Sequence, residues 1–196
     1  ENFSIFSPHK SYTNTLATIS KSNSKLKNIN EPYFFASFRS TKQKPSDFGL
    51  KEVEGKNYYL DKNNNKWRNE YLWDNGWGNE YGFVRLPELN FSQLWNLLMK
   101  TKIQNNQLGA SEFLNRKYSF ELKEKLKELF ASTEKINRKL TKRLSLLEVL
   151  NNVTNISDVY NKSPEEVRKD YEEWKKLKSE FDKLKTENFW RRIKKL

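Results

Sequence analysis

Leu122, Leu126, Leu129, Thr133, Ile136, Leu140, Leu144 and Leu147 fall within about 40° of one line when the chain is wound at 100° per residue. This seam runs for roughly seven turns. A helix that long with so narrow an apolar strip must bury the strip against another helix. The nearest candidate in sequence is the segment 91–108. There Leu94, Leu98, Thr101, Asn105 and Leu108 recur at helical spacing, with Trp95 and Leu97 beside them. Asn90 or Ser92 can cap its start, and Gly109 ends it or loosens it. The connection is short, so the spacing predicts a long antiparallel two-helix hairpin over 91–152.

The rest of the chain extends this unit. Residues 1–50 read as an extended basic tail, rich in Ser, Thr and Asn at its start. The first thirty residues hold four Lys and a single acid, Glu1. That fits a tail ordering on a partner, or the remainder of an organelle-import region. Residues 51–90 read as an aromatic-rich irregular lead-in of loops and short strands, carrying Tyr58, Tyr59, Trp67, Tyr71, Trp73, Trp77, Tyr81 and Phe83. Residues 153–196 open on a polar link. Ser163-Pro164-Glu165-Glu166 then supplies a helix start with Ser at N-cap, Pro at N1 and Glu at N3. Val167, Tyr171, Trp174, Leu177, Phe181 and Leu184 form the apolar stripe of that C-terminal helix. The expected fold class is therefore mainly α: a helical hairpin with an extended N-terminal region and an additional C-terminal helix.

Composition excludes much chemistry. The 196 residues contain no Cys and one His, His9. Cysteine nucleophiles, disulfides, Fe–S clusters and multi-histidine metal sites are all absent. The six glycines form no phosphate-cradling loop. No apolar run is long enough to span a membrane. A pair of acids among Glu165, Glu166, Asp170, Glu172 and Glu173 is better read as ion-paired helix surface. His9, in a polar stretch without a defined partner, reads as a surface or phosphate-contacting residue. We expect no enzyme, no cofactor, no metal and no small-molecule substrate.

Charge points instead to a polyanion. Lys plus Arg number 37 against 25 acids, for a net +12 and a pI of about 9.6. Residues 31–90 are neutral, whereas 91–152 hold twelve bases and six acids. From Lys135 to Leu147 there are five bases and no acid. Lys135, Arg138 and Lys142 project roughly 140 to 200° away from the leucine seam, and Lys127 lies one face up. A helix that is merely soluble interleaves Glu for i,i+4 pairing, as 121–128 does. The missing acids favour RNA-backbone contact by Lys127, Lys135, Arg138, Lys139, Lys142 and Arg143 over a solvated face. Arg116 and Lys117 would join them at the hairpin turn. Phe34 and Phe35, beside Arg39, Lys42 and Lys44, are candidates for stacking on unpaired bases. The 58–83 aromatics read better as a satellite core. Trp174, Phe181 and Trp190 are expected at a protein interface.

From Phe83 to Leu150 the pattern becomes familiar. Phe83-Val84-Arg85-Leu86-Pro87-Glu88-Leu89 precedes Phe91, Leu94, Leu97, Asn106 and Leu108, and a Lys- and Leu-rich segment follows. This resembles the mitochondrial form of ribosomal large-subunit protein L twenty-nine, in which a Trp-containing lead-in, here Trp73 and Trp77, often comes first. The resemblance implies a two-helix hairpin binding large-subunit ribosomal RNA near the peptide exit tunnel, beside ribosomal protein twenty-three. It further implies terminal segments touching neighbouring ribosomal proteins, and residence in the mitochondrial matrix. The alternative is a helical interaction or assembly protein of a non-ribosomal complex, its charge incidental.

Overall fold

The computed structural model describes residues 26, 28–35, 44–74, 79–132, 136–153 and 162–193. Its first half is a five-stranded antiparallel sheet. The strands are β1 (Phe34–Phe35), β2 (Lys51–Glu52), β3 (Tyr59–Leu60), β4 (Lys66–Asp74) and β5 (Asn79–Arg85), in spatial order β1-β5-β4-β3-β2. The long pair β4 and β5 sets the frame, with Trp67 opposite Arg85, Asn69 opposite Phe83 and a bulge between Tyr71 and Trp73. Asp61 shapes the β3–β4 connection. Its carboxylate accepts from the backbone N–H groups of Asn63 and Asn65 at 2.8 and 2.9 Å and from the Trp67 indole at 3.1 Å.

Both faces of this sheet are covered, which hid it in the sequence. A half-exposed sheet announces itself by alternating polar and apolar residues, and a doubly covered one does not. Successive strand residues point to opposite faces. Phe34 accordingly packs edge-on against Phe113, with ring centroids 5.1 Å apart, while Phe35 stacks on Phe48 and Trp67 at 4.7 and 4.5 Å. The second face is closed by a 3₁₀ turn at Pro45–Phe48 and by Leu50, forming a small core with Trp67 and Phe83. Of the aromatics expected in a satellite core, Tyr59, Trp67 and Phe83 form one on the sheet, whereas Trp77 and the side chains of Trp73 and Tyr81 lie outside those described. Residues 28–35 and 44–50 are therefore integral to the fold rather than a tail, and 51–90 is sheet rather than irregular lead-in. Gly82 permits this close packing: a Cβ there would collide with Leu72 and the Phe35 carbonyl.

The second half is helical: α1 (Phe91–Lys100), α2 (Gln104–Lys117), α3 (Ser119–Ala131), α4 (Arg138–Leu144) and α5 (Pro164–Ile193). Asn90 caps α1, its side chain accepting from the Gln93 N–H at 3.0 Å, while Gln93 returns a bond to the Asn90 N–H at 3.1 Å. α1 packs on α2, and α2 lies against β1 and β4. The chain is mainly α, as expected, but the long hairpin is not what forms. α2 runs through Gly109 without interruption. The predicted seven-turn helix is broken: Ser132 leaves α3 in an extended conformation, and Asn137 begins α4 by accepting from the Leu140 N–H at 3.0 Å. A local cap overrides the continuous periodicity.

The leucine seam is nonetheless buried, and much of its partner surface is α5. Leu122, Leu126, Ile136, Leu144 and Leu147 share one core with Trp174, Leu177 and Phe181. Lys123 adds a buried tie, donating to Asp170 and to Glu173, the latter at 2.9 Å. Desolvation pulls the Lys123 pKa down, and the hydrogen bonds to these two carboxylates outweigh it and hold the ammonium charged. The start of α5 is as read from sequence: Ser163 N–H donates to Glu166 at 2.7 Å, and Glu166 N–H donates to the Ser163 hydroxyl at 3.3 Å.

Candidate nucleic-acid interface

The predicted cations divide into two groups. Arg138, Lys139 and Lys142 are exposed on α4 and have no hydrogen-bond or ion-pair partner among the described residues. Their orientation follows from the helix: Thr141 and Leu144 are buried, so the opposite side of the same seven residues faces water. No acid interrupts the stretch.

The remaining candidates are engaged inside the molecule. Arg143 crosses from α4 and donates through Nη2 to the Thr101 carbonyl at the end of α1, while its buried Nη1 has no partner among the described residues. Burial lowers its pKa below the usual guanidinium range. It is a structural clasp rather than a phosphate ligand. Arg116 donates to the backbone carbonyls of Tyr71 and, at 2.9 Å, Leu72. Lys117 pairs with Glu88 at 2.9 Å and lies over the Phe113 ring. Together with Arg68 and Glu70 these groups tie the end of α2 to β4. Lys127 pairs with Glu124 at 2.9 Å and Glu173 at 3.0 Å, its pKa raised first by the Glu124 hydrogen bond. A guanidinium or ammonium already facing carboxylates has little left for a phosphate. Lys44 is exposed before the 3₁₀ turn. Lys135, Arg39 and Lys42 lie outside the described residues, as do His9 and Trp77.

The aromatic candidates are corrected. Phe34 is 1% exposed and packs on Phe113, and Phe35 is sandwiched between Phe48 and Trp67, so neither offers a free face to a base. Trp174 and Phe181 are buried against the chain's own helices rather than left for a neighbour. Trp190 falls within α5, outside the described side chains.

Two cations were missed. The Arg143 clasp onto Thr101 brings α4 against the end of α1, where Lys100 and Lys102 flank Thr101. Both are exposed and unpaired among the described residues. Some forty positions separate them from Lys142, and only the tertiary contact joins them. The result is five cations without a partner among the described residues, grouped on α4 and around the end of α1 that it packs against, with no acid on α4. α5 also carries Arg168, Lys169, Lys176 and Lys183 without a partner among the described residues, but Glu165, Glu172 and Glu180 are interleaved with them, which dilutes the field.

Such a face can neutralise phosphates without reading bases. Among the described residues there is no group of three or more His, Cys, Asp or Glu side chains arranged to hold a metal. No described helix is long and apolar enough to cross a membrane. No family model matches the chain, and no curated protein and no solved structure matches it.

Proposed function

We propose that this chain is a non-enzymatic, RNA-binding structural component of a ribonucleoprotein, and specifically of the mitochondrial large ribosomal subunit. One observation carries the RNA contact: Arg138, Lys139 and Lys142 on α4, and Lys100 and Lys102 near the end of α1 that α4 packs against, have no partner among the described residues, while the neighbouring bases are consumed by internal pairs. Leaving five like charges together and uncompensated costs self-repulsion, and a polyanion relieves it. The net +12 acts in the same direction at longer range. The ribosomal assignment rests on the sequence resemblance over 83–150. The hairpin implied by that resemblance does not form here, so the proposal rests on the RNA partner rather than on the exit-tunnel site beside protein twenty-three.

The helical assembly reading calls for an unpartnered apolar seam. The leucine seam and the Trp174–Phe181 stripe bury one another instead, and among the described residues Phe120, 68% exposed, is the large hydrophobic side chain left in solvent. A single exposed ring is ordinary surface.

Binding of a structured RNA fragment, followed as a function of salt, tests the RNA contact. The reading predicts a log–log slope of about −3.5 to −4.5, from about 0.7 to 0.9 counterion released for each phosphate contacted by the five cations. A flat dependence favours the assembly protein.

A further inference from the structure

Away from the cationic face, an open cavity of about 350 Å³ lies between the end of α2, the start of α3 and the 3₁₀ turn Glu148–Leu150. Glu112, Asn115, Arg116, Ser119, Glu148 and Asn152 line it. Glu112 is 6% exposed and has no hydrogen-bond partner among the described residues. The Asn115 side-chain oxygen is fully buried and likewise unpartnered. Buried polar groups are nearly always satisfied, so an unpartnered carboxyl buried at the wall of a cavity calls for a donor. Glu148, on the opposite wall, adds a second carboxylate without a partner among the described residues. Arg116 lines the same cavity and its charge favours the ionised Glu112, but it makes no hydrogen bond there: its guanidinium is bound to the Tyr71 and Leu72 carbonyls and faces Glu70 at 3.6 Å.

We infer that this cavity binds a cationic hydrogen-bond donor, an alkylammonium or guanidinium group, held between the carboxylates of Glu112 and Glu148. The donor set is wrong for an anion, since its orphaned atoms all accept. It is too small for a metal cage, with two carboxylates only. The volume suits the end of an arginine or lysine side chain, or of a free polyamine. Burial pushes Glu112 up to about 7; the charge of Arg116 opposes this, and the smaller repulsion from Glu148 adds to it. These are the charged groups facing it: Arg116 on its own helix and Glu148 on the packed turn. A bound cation favours the ionised carboxyl, so binding near pH 7 releases a proton from Glu112 to the buffer.

Titration calorimetry of the full chain tests this, with N-acetyl-arginine amide in one arm and putrescine in the other, in two pH 7 buffers of different ionisation enthalpy. The expected result is one saturable site that releases roughly half a proton per ligand. Binding should weaken at least tenfold in Glu112→Gln and at least threefold in Glu148→Gln, whose exposed position leaves folding untouched. Tighter binding of the arginine derivative identifies a neighbouring protein's side chain as the natural source, and tighter binding of putrescine identifies a free polyamine. No saturable heat in either arm overturns the inference, as does binding unchanged in both variants.

Discussion

The ring of Phe34 occupies the space that a β-carbon on Gly109 would need. A Cβ built there comes under 3.0 Å from Cβ, Cγ and Cδ1 of Phe34. The glycine that looks like a helix end is a contact point, where α2 lets strand β1 approach. Ala at this site gains about 1 kcal/mol of helix propensity and forces a collision with a ring already wedged against Phe113. The collision wins, because Phe34 is buried and has nowhere to move. Gly109→Ala should lower stability to urea by a net 1 to 2 kcal/mol or so. Phe34→Leu in the same chain should recover part of the loss, a coupling measurable by a double-mutant cycle.

Asn106 holds the same junction by hydrogen bonds. It is fully buried, accepts from the Tyr33 and Phe34 N–H groups at 2.7 and 3.2 Å, and donates to the Glu31 carbonyl at 2.7 Å. Asn106→Leu leaves three backbone groups unsatisfied. At about 1 to 3 kcal/mol for each buried orphan, the loss should be about 3 kcal/mol or more. Amide exchange should show the protection of Tyr33 and Phe34 falling before that of α2.

Glu112 gives the folded state a pH signature of definite sign. Its folded pKa is about 7, above the ordinary value of 4.5, so the native state holds the proton over that interval and the unfolded state does not. Stability therefore falls as pH rises from about 4.5 through 7, then levels off, by about 3 kcal/mol at most. Carboxylates held low, such as Glu173 between Lys123 and Lys127, act oppositely: their contribution is present above the unfolded pKa and lost as pH falls. Comparing Glu112→Gln with the parent chain isolates the first effect. The variant's advantage should grow from pH 5 to pH 8 in denaturant unfolding and be near zero at pH 4.

Charge reversal should separate the two kinds of cation. Arg138→Glu with Lys142→Glu should leave helicity intact and reduce the RNA-binding salt slope by about 1.5 to 2 through two lost phosphate contacts. It should also block incorporation into the assembled particle. Lys117→Glu sets a carboxylate against Glu70 and Glu88, so its main effect should be on stability, about 1 kcal/mol, with a much smaller change in slope. Equal slopes for the two variants, measured by fluorescence anisotropy, would sink the assignment of the α4 face.

What was legible in the sequence was local. The Asn90 and Ser163 caps, the α5 stripe and the acid-free run before Leu147 each depend on residues within a few positions of one another. The sheet was hidden because Phe34 and Phe35 both face apolar cover, which erases the period-two signal. The broken helix was hidden because the leucine spacing continues through a gap that only the Asn137 cap reveals. A helical wheel places Arg138 and Arg143 on a helix surface but cannot tell which one meets Thr101 and which meets water. Lys100 and Lys102 join the face only through that contact.

The most direct test of the central claim is sedimentation of the native particle. Mitochondria of the source are lysed and resolved on a sucrose gradient at high and low magnesium, and the chain is quantified by mass spectrometry in every fraction. The account predicts that it travels with the large subunit after the subunits separate and is released by high salt. A peak away from both subunits would contradict it.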